Sequence, residues 1–139
     1  MDSPDLVAGS RLYVPVFEEG ALVFVGDVHA IQGDGELSGP AVEVPSLTTL
    51  RIGLIKGRRI NWPRIENSEY IMTIGNARPL EDCVKTATVE MVKMLESDYG
   101  FDRWDAAILV SAVCKLRINQ CQSALYSVSC KFPKKYLQS

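Results

Sequence analysis

Apolar residues change their period near the middle of this chain. Up to about residue 74 they come in short β-branched and aromatic runs: Arg11-Leu-Tyr-Val-Pro-Val16, Ala21-Leu-Val-Phe-Val25, Ala41-Val-Glu-Val44, Leu47 to Ile55 and Tyr70 to Ile74. Pro, Gly and Asn punctuate these runs, as they do strands. Phe17-Glu-Glu-Gly20 reads as a hairpin loop between the first two. The pattern predicts at least five strands in this half.

From Pro79 the period lengthens. Val84, Ala87, Met91 and Leu95 recur three and four residues apart, with Glu81, Lys85, Glu90, Lys93 and Glu96 largely off that stripe, which describes an amphipathic helix. Pro79 suits its first turn and Gly100 its end. Asp102 reads as the N-cap of a second, mostly apolar helix reaching about Cys114, with Asp105 three residues on. Lys115 to Gln120 and Leu125 to Phe132 then close the chain as a strand pair. The expected fold class is α+β: a β-rich N-terminal part of about five or more strands, an αα-hairpin and closing strands. At 139 residues the expectation is a single domain over residues 1–139, without internal repeats or linkers.

The second helix is apolar almost all round, so it is expected to be buried, not laid in a DNA groove as part of a helix-turn-helix. The formal charge of -2 supplies no basic surface for phosphate either, and Lys56-Gly57-Arg58-Arg59 and Lys134-Lys135 read as solvated faces. Nucleic acid is not an expected partner. The most apolar run, Ala106 to Cys114, is far shorter than the ~20 residues needed to cross a bilayer. The N-terminus, Met-Asp-Ser-Pro-Asp, lacks a basic leader and apolar signal core, so no membrane partner is expected and the cytoplasm is the default compartment. Cys83, Cys114, Cys121 and Cys130 form no C-x-x-C pair and read as reduced, mostly buried thiols.

Chemistry concentrates in Gly26-Asp-Val-His-Ala-Ile-Gln-Gly-Asp-Gly-Glu36, which holds the only histidine of the chain. In an extended segment Asp27 and His29 share a face, and so do Asp34 and Glu36 beyond the connection. Gly33 and Gly35 bracket Asp34 with the chemistry of a sharp turn. Folded back, the segment would bring carboxylates and an imidazole together, a donor set for a divalent cation: zinc with mixed N and O ligands, calcium or magnesium with carboxylates. The same residues also describe an acidic, Gly-rich turn with no ion. No G-x-S-x-G elbow, P-loop, G-x-G-x-x-G or H-E-x-x-H accompanies them.

With its flanks, the segment resembles a known family. Gly9-Ser-Arg-Leu-Tyr-Val-Pro-Val16, Gly20-Ala-Leu22, Gly26-Asp-Val-His-Ala30 and Gln32-Gly-Asp-Gly-Glu36, with Gly39 and Glu43 beyond, are similar to the acetamidase/formamidase family. The similarity continues to Leu116-Arg-Ile-Asn-Gln120, where Lys115 departs from the acidic residue expected before it. The chain resembles the C-terminal half of a full-length member. The resemblance implies metal-dependent hydrolysis of short aliphatic amides, of the formamide or acetamide type, to carboxylic acid and ammonia. It implies Asp27 and His29 as metal ligands with Asp34 as a further ligand or catalytic group, and Glu36 as the general base. Glu43 follows as a supporting residue around the metal. Zinc is the first expectation for the metal and calcium the second. Partners are a small amide substrate and either a second copy of the chain or the missing N-terminal half. A non-catalytic remnant that binds such a partner is the alternative. Arg11 and Tyr13 read as solvated or packing residues, and Trp62 as core or interface.

Overall fold

The structure is a computed structural model that describes residues 2–137. Seven strands and two helices follow in the order β1 (Arg11–Tyr13), β2 (His29–Ile31), β3 (Val42–Glu43), β4 (Arg64–Glu66), β5 (Tyr70–Ala77), α1 (Leu80–Tyr99), α2 (Arg103–Val113), β6 (Lys115–Gln120) and β7 (Tyr126–Pro133). Five strands form one antiparallel sheet in the order β1-β4-β5-β7-β6, and β2 and β3 pair separately. The class is α+β with a β-rich start, as the change of period predicts. Among the described residues, no helix is long and apolar enough to cross a membrane.

The helices form where capping chemistry permits. Pro79 stands just before α1 in extended backbone, and Gly100 ends the helix at φ 71°. The Gly100 and Phe101 N–H groups both donate to the Leu95 carbonyl, the left-handed cap that glycine makes cheap. Asp102 caps α2 by accepting from the backbone N–H groups of Trp104, at 2.8 Å, and Asp105, at 3.4 Å.

Side chains of β5 alternate between the two faces of the sheet. Ile71, Thr73 and Gly75 face α1, and Ile71 joins Ala87, Met91, Met94, Leu95, Ala106, Val110, Cys130 and Phe132 in the main core. Met72 and Ile74 point the other way and pack with Ile65 and Tyr70. Each fully buried large side chain contributes about 1.5–3 kcal/mol from removal of apolar surface from water. Sequence periodicity finds Ala87, Met91 and Leu95 but places Val84 on the stripe, where it is only half-buried. The buried flank instead includes Cys83, Glu90 and Met94.

Closest approach comes at Gly75, where an added Cβ would lie 2.3 Å from the Cys83 carbonyl oxygen and 2.8 Å from the Ala87 nitrogen. Beside it the Thr73 hydroxyl donates to the Ala87 carbonyl at 2.7 Å. Cys83 Sγ lies 3.1 Å from the Ala77 nitrogen, and 3.2 Å from the carbonyl oxygens of Ala77 and Tyr126.

Three expectations change in the structure. Residues 21–25 and 47–55 are not strands: their backbones find no ladder partner among the described residues, and Leu22, Phe24 and Leu47 stand 80%, 88% and 99% exposed. β-propensity describes a fit to a half-buried pleated surface, and without a facing strand it does not make one. α2 is not buried all round. Only Ala106 and Val110 are buried, while Trp104 and Ile108 point outward, because the helix touches the rest of the fold along one side. Of the basic runs, Lys56 to Arg59 are exposed as expected, while Lys134 is half-buried. Arg58 joins Arg64 at the Asp98 carboxylate, and Lys134 reaches Glu66. Tyr13 packs through its hydroxyl, which donates to Glu66 at 2.9 Å, and Trp62 is half-buried.

Two predictions follow from this packing. Gly75→Ala is expected to cost about 3 kcal/mol in urea denaturation, since overpacking against backbone cannot be relieved by a side-chain rotation. A cost under about 1 kcal/mol would mean that α1 shifts freely on the sheet. The second concerns Glu66, whose carboxyl is held below its usual range by the Lys134 ammonium at 2.6 Å and, after it, the Tyr13 hydroxyl. A depressed carboxyl stabilises the fold above its unfolded pKa, and this contribution is lost as pH falls through the folded value. Glu66→Gln should therefore cost about 1 kcal/mol near pH 6 and much less near pH 3; a cost independent of pH would contradict this.

Candidate metal centre

The site begins as a cross-strand pair. β2 and β3 are antiparallel with His29 directly opposite Glu43, so the two side chains share a face, and an irregularity after His29 brings Ile31 opposite Val42. The Val44 N–H donates to the Val28 carbonyl at 3.0 Å and extends the pairing backward toward Asp27. Asp27 takes a left-handed backbone at φ 56°, uncommon for a residue with a side chain. Its carboxylate lies 3.2 Å from His29 Nε2. One ligand atom each from Asp27, His29 and Glu43 fall within 4.8 Å of one another. An open depression of about 430 Å³, lined by Asp27, Val28, Glu43, Val44 and Pro45, adjoins them.

Glu36 approaches from the other end of the segment. The Gly35 N–H donates to the Ile118 carbonyl at 2.8 Å and the Gly35 carbonyl accepts from the Cys121 N–H at 2.9 Å, which fastens the loop to the edge strand β6. Gly35 sits at φ 86° and Glu36 at φ 45°, so the chain turns here instead of continuing as a strand. The turn brings Glu36 Oε1 to 3.8 Å from His29 Nε2, while Oε2 accepts from the Gln120 side-chain amide at 3.0 Å. The Glu36 side chain is 3% exposed and that of His29 8%, against 56% for Asp27.

Of the residues expected from sequence, Asp27, His29 and Glu36 come together. Asp34 does not join them: it stands at the exposed corner of the glycine turn and accepts from Arg117 Nε at 2.7 Å. The shared-face argument for Asp34 and Glu36 assumed an extended backbone, and the left-handed residues break that alternation. Glu43, expected only in a supporting place, supplies the third donor. Gln32 and Gln120, which the sequence did not single out, hold His29 and Glu36. Pairing residues 28–31 with 42–44 would have revealed Glu43; the two glutamines stand in the segments similar to the family, but nothing in their spacing says what they hold.

Electrostatics follow from this arrangement. The His29 ring titrates above its usual value, first because the Gln32 side chain hydrogen-bonds it and then because Asp27 and Glu36 place negative charge beside it, against the opposing effect of burial. The donor set, one imidazole nitrogen with carboxylate oxygens, fits zinc, and its oxygens are also acceptable to calcium. Two of the cysteines are poor nucleophiles. Burial pushes the Cys83 thiol up, and the neighbouring Cys114 together with burial raises Cys130, both away from the thiolate that would react.

Comparison with known proteins matches this fold. Residues 1–124 match the sequence model of the Acetamidase/Formamidase family. An acetamidase from Mycolicibacterium smegmatis is 42% identical over 57 residues, which are 40% of this chain and 14% of that protein. The crystal structure of an acetamidase from Yersinia enterocolitica superposes with a TM-score of 0.97 at 45% identity, covering 100% of this chain and 42% of its own. That of an acetamidase from Bacillus halodurans gives 0.91 at 30% identity, covering 97% and 46%. The chain thus spans under half the length of these solved relatives. With most of its sequence matched to one family and its fold reproduced throughout, the chain belongs to the Acetamidase/Formamidase family.

Proposed function

We propose that this chain carries the metal centre of an amidohydrolase that converts short aliphatic amides, of the formamide or acetamide type, to carboxylic acid and ammonia. The observation that carries the reading is the convergence of Asp27, His29 and Glu43 beside the buried carboxylate of Glu36. Relatives named acetamidase and formamidase support the substrate class. Asp27, His29 and Glu43 would hold the ion, zinc first and calcium second. Asp34 serves the site through Arg117, by anchoring the loop to β6.

A divalent ion bound there would polarise the amide carbonyl and acidify the attacking water. Glu36 acts as general base. Its Oε1 faces the cluster while Gln120 steadies Oε2, so it takes the water proton as the C–O bond forms and returns it to the leaving nitrogen as the C–N bond breaks. The open depression beside Asp27 and Glu43 suits a small substrate. The compartment we propose is the cytoplasm, and the chain would act as one domain. It associates either with the part of the fold that the longer relatives carry or with a second copy, and the exposed apolar segments around Phe24 and Leu47 support such a contact.

Metal stoichiometry by elemental mass spectrometry tests the reading, on untagged chain beside an Asp27→Ala/His29→Ala variant. Near-stoichiometric zinc or calcium, lost in the variant, is the expected result; no metal in either would mean that this chain does not build the centre by itself, because it needs the part that the longer relatives carry or because it is a non-catalytic remnant. Glu36→Gln should retain the metal and lose turnover by about 100-fold or more, the usual worth of a general base. Loss of metal from Glu36→Gln would instead make Glu36 a ligand.

A further inference from the structure

The geometry points to Gln32 as the residue that orients His29 and selects which of its ring nitrogens faces the metal, an inference that rests on the proposed metal centre. It begins at a group whose role is unambiguous. The backbone carbonyl of Asn119, in β6, can only accept a hydrogen bond, and a Gln32 side-chain atom lies 3.2 Å from it. That atom must be the amide nitrogen Nε2, because the alternative would press two oxygens together. The other end of the same amide is then Oε1, which can only accept, and it lies 3.2 Å from His29 Nδ1. Nδ1 must therefore carry a proton. The remaining nitrogen, Nε2, is the one that faces Asp27 Oδ1 at 3.2 Å and Glu36 Oε1 at 3.8 Å.

Without a cation between them, Nε2 and these carboxylates are all acceptors unless the ring takes a second proton. The relay Asn119 carbonyl, Gln32 amide, His29 Nδ1–H thus leaves one lone pair for a metal and aims it at the carboxylates. Gln32 touches neither substrate nor metal; it is a positioning residue of the kind that metal-bound histidines require on their second nitrogen. It also ties the site to the sheet, since the Asn119 side chain is itself buried between the Ser127 and Ser129 hydroxyls.

Because His29 is the only histidine, its ring can be read without ambiguity in nitrogen-15 NMR spectra of the whole chain. In metal-free protein near neutral pH, the Nδ1–H resonance should be visible in the wild type, protected from exchange by Gln32, and lost in Gln32→Leu. On zinc addition the wild type should keep Nδ1–H and show Nε2 as the metal-bound nitrogen. Zinc affinity of Gln32→Leu, measured by chelator competition, should fall about 10–100-fold. The inference is overturned if Nδ1–H is absent from the wild type, if zinc occupies Nδ1, or if Gln32→Leu binds zinc as tightly as the wild type. If Nδ1–H behaves as described and neither zinc nor calcium binds, the orienting role of Gln32 stands and the metal centre falls.

Discussion

Helix α1 can lie on the sheet because β5 offers it no side chain at Gly75. Helix and strand backbones meet there more closely than any Cβ would allow, and the carbonyl of Ala87, inside the helix, takes a hydrogen bond from Thr73 on the strand. That contact sets the depth of α1 over β5 and β7, and hence the volume left for Met91, Leu95, Cys130 and Phe132. The eight-residue pairing of β5 with β7 runs beneath it, and β7 in turn carries β6. The edge strand that receives the site is therefore held in place from the opposite side of the sheet.

On β6 the division of labour becomes visible. Its inward side chains are structural, with Asn119 buried among serine hydroxyls. Its backbone serves the site instead. The Ile118 carbonyl takes the Gly35 N–H and the Asn119 carbonyl takes the Gln32 amide, so a loop with little regular structure of its own inherits the rigidity of the sheet. Pairing through Gly35 also covers part of an edge whose N–H and C=O groups would otherwise lie open.

The centre itself is assembled against local preference. Among the described residues, Asp27 and Glu36 are two of the three non-glycine residues at positive φ, and their carboxylates converge on the same imidazole nitrogen. Left-handed backbone costs a side-chain-bearing residue of order 1–3 kcal/mol. Gathering like charges adds to that cost. Such an arrangement persists where the surrounding fold over-determines it, and a bound cation would offset the repulsion that the bare carboxylates feel.

Much of this was legible without coordinates where the physical cause is local. Asp102 and Gly100 mark helix ends because capping depends on one or two residues, and the three- and four-residue stripe of Ala87, Met91 and Leu95 marks a buried face because helical period is a backbone property. The grouping of Asp27 with His29 is equally local, since only Val28 stands between them. Residues 21–25 and 47–55 carry the composition of strands yet form none, because a strand is completed only by the neighbour that pairs with it. The roles of Glu43, Asp34 and Gln32 were likewise beyond local reading. Glu43 meets His29 across a two-residue ladder, Asp34 is drawn away by Arg117 more than eighty positions along, and Gln32 is set by a carbonyl equally distant. The sequence alone determined the class of fold, its helices and the residues able to carry chemistry. Only the tertiary structure decided which of those residues meet, because the contacts that orient them come from strands distant in the chain.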